Sequence, residues 1–79
     1  MLIVAIKAAR RGEEDWTTVA TGTWEPGEPP KLTNKGLPAS LIQDLFPSSV
    51  DPNDASGITT RDHREFTYCM EWRRQSAPQ

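Results

Sequence analysis

The chain has 79 residues, of which 35% are hydrophobic and 25% charged, with a formal net charge of -2 at pH 7. This length allows one domain with a small core, since domains commonly run to ~100–150 residues. The composition excludes collagen, a coiled coil and wholesale disorder, and the slight acidic excess disfavours a dedicated duplex nucleic-acid binder.

Two strands joined by a hairpin are predicted for the first part of the chain. Residues 2–9 are apolar on both alternating faces, which is typical of a central strand. The charged turn around Gly12 favours a hairpin into a second strand over residues 15–24. Its even positions Trp16, Ala20 and Trp24 are expected to be buried, and Gly22 marks a bulge or a close approach of another backbone.

A loop, a helix and a second loop are predicted next. Residues 25–36 carry three prolines and two glycines, and the PxxPxK pattern at 26–31 is interpreted as a rigid linker rather than a ligand for aromatic grooves. The spacing of Leu37, Leu41, Ile42, Leu45 and Phe46 predicts a helix over 37–46 that Pro47 ends. Residues 48–57 have the composition of a turn-rich loop.

The clearest element is a strand over residues 64–74, where Phe66, Tyr68, Met70 and Trp72 alternate with polar residues and Cys69. The elements give an α+β fold, β-β-α-β, with a three-stranded antiparallel-type sheet in the order 2-1-3 and one short helix on one face. A meander in the order 1-2-3 is the alternative. Residues 1–74 form this single small domain, and residues 75–79 are expected to be a frayed tail.

Catalysis has one candidate arrangement, in which Asp62 orients His63 beside Cys69. On one extended segment, however, His63 and Cys69 would lie roughly 20 Å apart at ~3.3 Å per residue. The chain also lacks a glycine-rich phosphate loop and a calcium-binding loop. We therefore expect no catalytic residue, no cofactor and no metal site.

Cellular location follows from the single cysteine and the lack of a long apolar segment. One cysteine cannot form an intrachain disulfide, and no run approaches the ~18 apolar residues of a membrane span. The start of the chain also lacks the basic region that opens a signal peptide. A cytoplasmic protein without membrane contact is expected, in the host cytoplasm if the source is viral.

Candidate partner-binding residues fall into three groups. A basic corner with Trp16 nearby is expected where the first strand ends beside the start of the last, although nearby acids, Glu13 to Asp15, Asp62 and Glu65, favour a self-paired rim. Arg73 and Arg74 follow the tryptophans at the other end of the sheet and resemble interface anchors. Acids could occlude a nucleic-acid groove. The candidates are Arg10, Arg11, Arg61 and Arg64; Trp24, Arg73 and Arg74; and Glu13, Glu14, Asp15, Glu25 and Glu28.

The favoured function is a non-enzymatic module that binds a protein partner, such as a multisubunit nucleic-acid-processing complex. In size and in lacking a catalytic constellation the chain resembles small phage-encoded inhibitors of host machines, anti-CRISPR proteins among them; the likeness is one of type and involves no motif. Two alternatives stay open. They are weak nucleic-acid binding through the arginine corner, which is less favoured, and a homodimeric structural subunit stabilised through its open sheet.

Overall fold

A computed structural model describes residues 1–34, 36–47 and 56–74. The strands form one antiparallel sheet in the order β3-β2-β1-β5-β4, and a short helix packs on one face. The elements are β1 (Leu2–Arg10), β2 (Thr17–Trp24), β3 (Lys31–Asn34), α1 (Ala39–Leu45), β4 (Ser56–His63) and β5 (Phe66–Arg74). The expected loop at 48–55 and the expected frayed tail at 75–79 lie outside the described residues.

The predicted three-stranded sheet is wrong, because the sheet has five strands. The prediction missed the two strands at its edges. β3 lies in the segment interpreted as a proline-rich loop, and β4 occupies residues 56–63, ahead of the predicted last strand. That last strand begins at Phe66 rather than at residue 64, since Arg64 takes a φ of 58° in the turn between β4 and β5.

The core lies between the sheet and α1. Val4 and Ile6 of β1 face Leu41 and Leu45 of the helix, and Met70 of β5 completes the fully enclosed set. The helix is confirmed in place but is shorter than predicted, because it starts after Pro38. Seven residues are too few for an independent helix, so α1 depends on this packing.

A β-bulge in β2 explains one error in the predicted faces. Ala20 lies opposite Ile6, but Thr18 lies opposite Lys7, which leaves Val19 as an extra residue. The bulge reverses the alternation of the residues before it. Trp16, predicted to be buried beside Ala20, is therefore 42% exposed.

Two glycines allow close packing at the edges of the sheet, Gly22 in β2 against β3 and Gly57 in β4 against Trp72. A Cβ on Gly22 would overlap the carbonyl oxygen of Lys31 and lie 2.9 Å from the Cα of Leu32, which confirms the predicted close approach of another backbone. A Cβ on Gly57 would overlap the ring of Trp72, which lies across the β4 backbone. Each edge strand therefore depends on a position where only hydrogen fits.

The four large side chains of β5 share the face that α1 covers. Met70 is fully buried, and Phe66, Tyr68 and Trp72 are partly buried. Trp72 packs edge-on against Trp24, with ring centroids 6.1 Å apart. Its Nε1 is buried and has no hydrogen-bond acceptor among the described residues.

Candidate functional site

A groove lies on the face of the sheet opposite α1. No described helix covers this face, and a groove of about 580 Å³ runs over β1, β5 and the start of β4. We call it the open-face groove. The side chains that define it are those of Ile3, Ala5, Lys7, Ile58, Glu71 and Arg73.

The open-face groove is apolar along its floor and charged along its sides. Ile3 and Ala5 of β1 are only partly covered, and Ile58 of β4 is 60% exposed. Lys7 Nζ and Glu71 Oε2 form an ion pair at 3.6 Å across the groove. The groove therefore offers apolar area beside charges that are partly satisfied within the chain.

The outer edge of β4 borders this groove. Among the described strands, β4 pairs only with β5, and the two-residue turn Arg64–Glu65 joins His63 to its partner Phe66. On the other side of β5, the Arg11 N–H donates to the Glu65 carbonyl oxygen at 2.9 Å, which makes Arg10 and Phe66 a pair that exchanges no hydrogen bonds. The N–H and C=O groups of Phe66 therefore point toward β4.

Antiparallel pairing then fixes which β4 residues point outward. His63 exchanges hydrogen bonds with Phe66, and the alternation along the strand gives the same role to Arg61, Thr59 and Gly57. The residues between them direct their N–H and C=O groups away from the sheet, and their side chains lie on the groove side. These outward residues are Ser56, Ile58, Thr60 and Asp62.

The predicted arginine corner is brought together by the pairing of β1 with β5 and of β5 with β4. Arg10 lies opposite Phe66, and Arg61 lies opposite Tyr68. All four arginines of the corner, Arg10, Arg11, Arg61 and Arg64, are exposed. The expected self-paired rim is not formed by the described residues, whose acids make no ion pair with these arginines.

The acidic candidates do not form one surface. Glu13, Glu14 and Asp15 precede β2, whereas Glu25 and Glu28 follow it. The eight residues of β2 separate the groups by roughly 23 Å at ~3.3 Å per step. Glu25 is also paired, with its Oε1 3.3 Å from the amino group of Met1.

The remaining candidates lie at the end of the sheet opposite the arginine corner. Trp24 is 4% exposed and belongs to the core, which corrects the expectation of an accessible aromatic anchor. Arg73 and Arg74 are exposed on opposite faces of β5. Of these three residues, Arg73 alone borders the open-face groove.

The arrangement of Asp62, His63 and Cys69 differs from the sequence argument. The segment is not one extended strand, because it turns at Arg64–Glu65, so the distance argument was wrong. His63 lies on the helix side of the sheet, and Cys69 lies on the open side opposite Thr60. Asp62 is also on the open side, where it accepts a hydrogen bond from Thr67 Oγ1 at 2.7 Å.

Cys69 itself is 7% exposed, although it lies on the face without the helix. Burial, together with the nearby charge of Glu71, raises the pKa of its thiol, and Lys7 offsets part of this effect. A raised pKa disfavours the thiolate, which is the reactive form. No three histidine, cysteine, aspartate or glutamate side chains in the described ranges are placed to hold a metal ion.

Sequence reasoning missed the open-face groove and the β4 edge. Ile58 was assigned no role, although the run from Ile58 to Thr60 is rich in β-branched residues that favour a strand. Ile3 and Ala5 were correctly expected to alternate with the other apolar residues of β1. Only the pairing with β5 and β4 shows that they line a groove.

Comparison with protein-family models, with curated proteins and with solved structures finds no match for this chain. In the parts of the chain that the structure describes, no helix has the length and apolar character needed to cross a membrane.

Proposed function

We propose that the chain is a non-enzymatic protein-interaction module that binds an extended segment of a partner protein along β4. Strand addition uses unpaired backbone groups for affinity and alternate side chains for specificity. The supporting observation is the outer edge of β4, an eight-residue strand that pairs on one side only within residues 1–34, 36–47 and 56–74. Among the described residues its outward backbone groups pair with no other strand, and the Thr60 carbonyl oxygen accepts a hydrogen bond only from the Arg61 side chain, at 2.8 Å.

The side chains beside this edge favour a segment with alternating apolar residues. Ile58 projects on the groove side and is 60% exposed, so an apolar partner residue opposite it would remove both side chains from water. A bulky residue at that position would also extend over the open-face groove. Thr60 and Asp62 continue the same row and favour polar neighbours.

The test selects binders from a random decapeptide library displayed on yeast and measures each selected peptide against two variants. Thr60→Pro removes one outward N–H and leaves the bonds to β5 intact, whereas Thr60→Ala keeps that N–H and serves as the matched control. We expect apolar residues at alternate positions, an affinity within about threefold of the wild type for Thr60→Ala, which loses only a side chain at the edge, and an affinity at least about tenfold weaker for Thr60→Pro, which also loses the N–H.

Two results would contradict the proposal. The first is a library that yields no binder, and the second is equal binding by the two variants. Sedimentation of the free protein distinguishes the homodimer alternative, since self-association that Thr60→Pro abolishes would assign the edge to a second copy. That the partner belongs to a nucleic-acid-processing complex, and that binding inhibits it, stays a prediction for purified candidate complexes.

A further inference from the structure

A second surface lies on the other face of the sheet, at the end where β4 and β5 join. It consists of Arg10, Arg61, His63, Phe66 and Tyr68, and we call it the arginine–aromatic surface. The register places all five on the helix side of the sheet, at the end away from Trp24. None of the five residues lines the open-face groove, although Arg61 and His63 belong to β4.

Three aromatic rings form the centre of this surface. The ring centroids of Phe66 and Tyr68 are 6.3 Å apart, and those of His63 and Tyr68 are 6.4 Å apart. The rings are tilted by 54° and 60° rather than stacked on one another, and each residue is partly exposed. Part of each aromatic side chain is therefore accessible to a planar group of a ligand.

Two arginines flank the rings. Arg10 lies opposite Phe66 and Arg61 opposite Tyr68, and both arginines are exposed. Neither forms an ion pair with a described residue. Arg61 Nη1 donates to the Thr60 carbonyl oxygen at 2.8 Å, which leaves the other donors of its guanidinium for a ligand.

The strand register separates this surface from Asp62, the acid between Arg61 and His63 in the sequence. Asp62 alternates to the open side, where Thr67 Oγ1 donates to it, while Arg61 and His63 stay on the helix side. Glu65 lies in the turn, and Glu13, Glu14 and Asp15 belong to the connection between β1 and β2. The positive and negative charges of this part of the sequence nearly cancel. In the sheet, however, Arg61 lies on the helix side and Asp62 on the open side, so the two faces carry different charges.

We infer that the arginine–aromatic surface binds single-stranded nucleic acid, with bases stacked on Phe66 and Tyr68 and the backbone phosphates held by Arg10 and Arg61. Exposed rings beside a cationic groove are the elements with which proteins bind single strands without sequence preference. A duplex hides its base faces and needs more positive charge than a chain of net charge -2 supplies.

The test measures the fluorescence anisotropy of a fluorescein-labelled fifteen-nucleotide oligothymidylate at low salt, with the full chain. The double variant Arg10→Ala/Arg61→Ala changes the net charge by two units. Lys31→Glu changes it by the same amount at the exposed β3 strand and is the matched control. We expect at least about a tenfold loss of affinity for the double variant and less than about twofold for the control.

Salt dependence and a ring variant separate specific contacts from general attraction. The logarithm of the binding constant falls as the logarithm of the salt concentration rises. Removal of two phosphate contacts should make this slope less steep by about 1.4, at ~0.7 per contact for a single strand. Phe66→Leu keeps the apolar volume but loses the ring face, so we expect about fivefold weaker binding with the fold retained.

Any one of three outcomes would overturn the inference. The first is no binding of the oligonucleotide by the wild-type chain. The second is an equal loss of affinity in the double variant and in Lys31→Glu. The third is equally tight binding of labelled poly-glutamate, which would assign the surface to an acidic protein segment instead.

Discussion

The two edges of the sheet differ in length, in sequence and in what lies beside them. β3 has four residues, follows Pro29 and Pro30, and starts with an exposed lysine. β4 has eight residues, contains no proline and presents Ile58 at 60% exposure beside the open-face groove. Short strands, prolines and lysines are the features that protect an edge from further pairing. Among the described residues, β3 therefore carries these protective features and β4 lacks them.

The largest effect is expected when proline replaces a β4 residue whose N–H points toward β5 rather than outward. Thr59→Pro removes an N–H that bonds to Met70 and also the hydroxyl that donates to the Leu45 carbonyl oxygen at 2.6 Å. We expect a loss of about 2–4 kcal/mol in the free energy of unfolding. Thr60→Pro removes an outward N–H and should cost less than about 1 kcal/mol. Urea unfolding measures both, and equal losses would mean that the outward residues are assigned incorrectly.

Alanine substitutions of Gly22, in the strand next to β3, and of Gly57, in β4 itself, test the difference between the two edges. In Gly22→Ala the new methyl group meets the β3 backbone, which cannot move without losing its pairing with β2. In Gly57→Ala it meets the ring of Trp72, a side chain that can shift. We expect losses within the range of about 1–3 kcal/mol, with Gly22→Ala the larger. Urea midpoints give the order, and a changed tryptophan emission should accompany Gly57→Ala but not Gly22→Ala.

A charge at the β4 edge should affect binding far more than stability. Ile58→Lys places an ammonium group where the side chain is already exposed, so the free energy of unfolding should change by less than about 0.5 kcal/mol. Lysine on an edge strand disfavours strand addition, so selected peptides should no longer bind. An Ile58→Lys variant that retained its peptide affinity would show that the peptides bind elsewhere.

The smallest effect concerns Cys69, on the open face one strand in from the β4 edge. Because folding raises its pKa, the folded chain keeps the thiol proton to higher pH than the unfolded chain does. The thiol's contribution to stability is then complete below the unfolded pKa and is lost as pH rises through the folded pKa. We expect Cys69→Ala to flatten the alkaline fall in melting temperature. A melting temperature that falls equally steeply at alkaline pH in both proteins would contradict this.

The elements predicted from the sequence are those that bury the most apolar surface. β1 is apolar on both faces, and the stripe of Leu41 and Leu45 marks α1, so hydrophobic periodicity was enough to find them. The edge strands lack that signal. β3 has four residues and β4 has no buried side chain, so their pairing is determined by the register of neighbouring strands rather than by their own pattern.

The candidate surfaces were harder to predict, because they depend on which face of the sheet each side chain occupies and not only on its place in the sequence. The extra residue at Val19 moves Trp16 to the face opposite the helix, and no residue in this part of the sequence indicates the bulge. Alternation along β4 places Asp62 and His63 on opposite faces of the sheet, and the turn at Arg64, with a positive φ, puts Cys69 on a different strand from both. A sequence count treats such neighbours as one cluster, whereas the sheet places them on opposite faces.

The availability of the β4 edge is tested most directly by amide hydrogen exchange at single residues. In the free chain we expect rapid exchange at Ile58, Thr60 and Asp62 and slow exchange at Gly57, Thr59 and Arg61. A bound selected peptide should slow the first set and leave β3 unchanged. Slow exchange at all six residues in the free chain, or protection of β3 instead, would contradict the account.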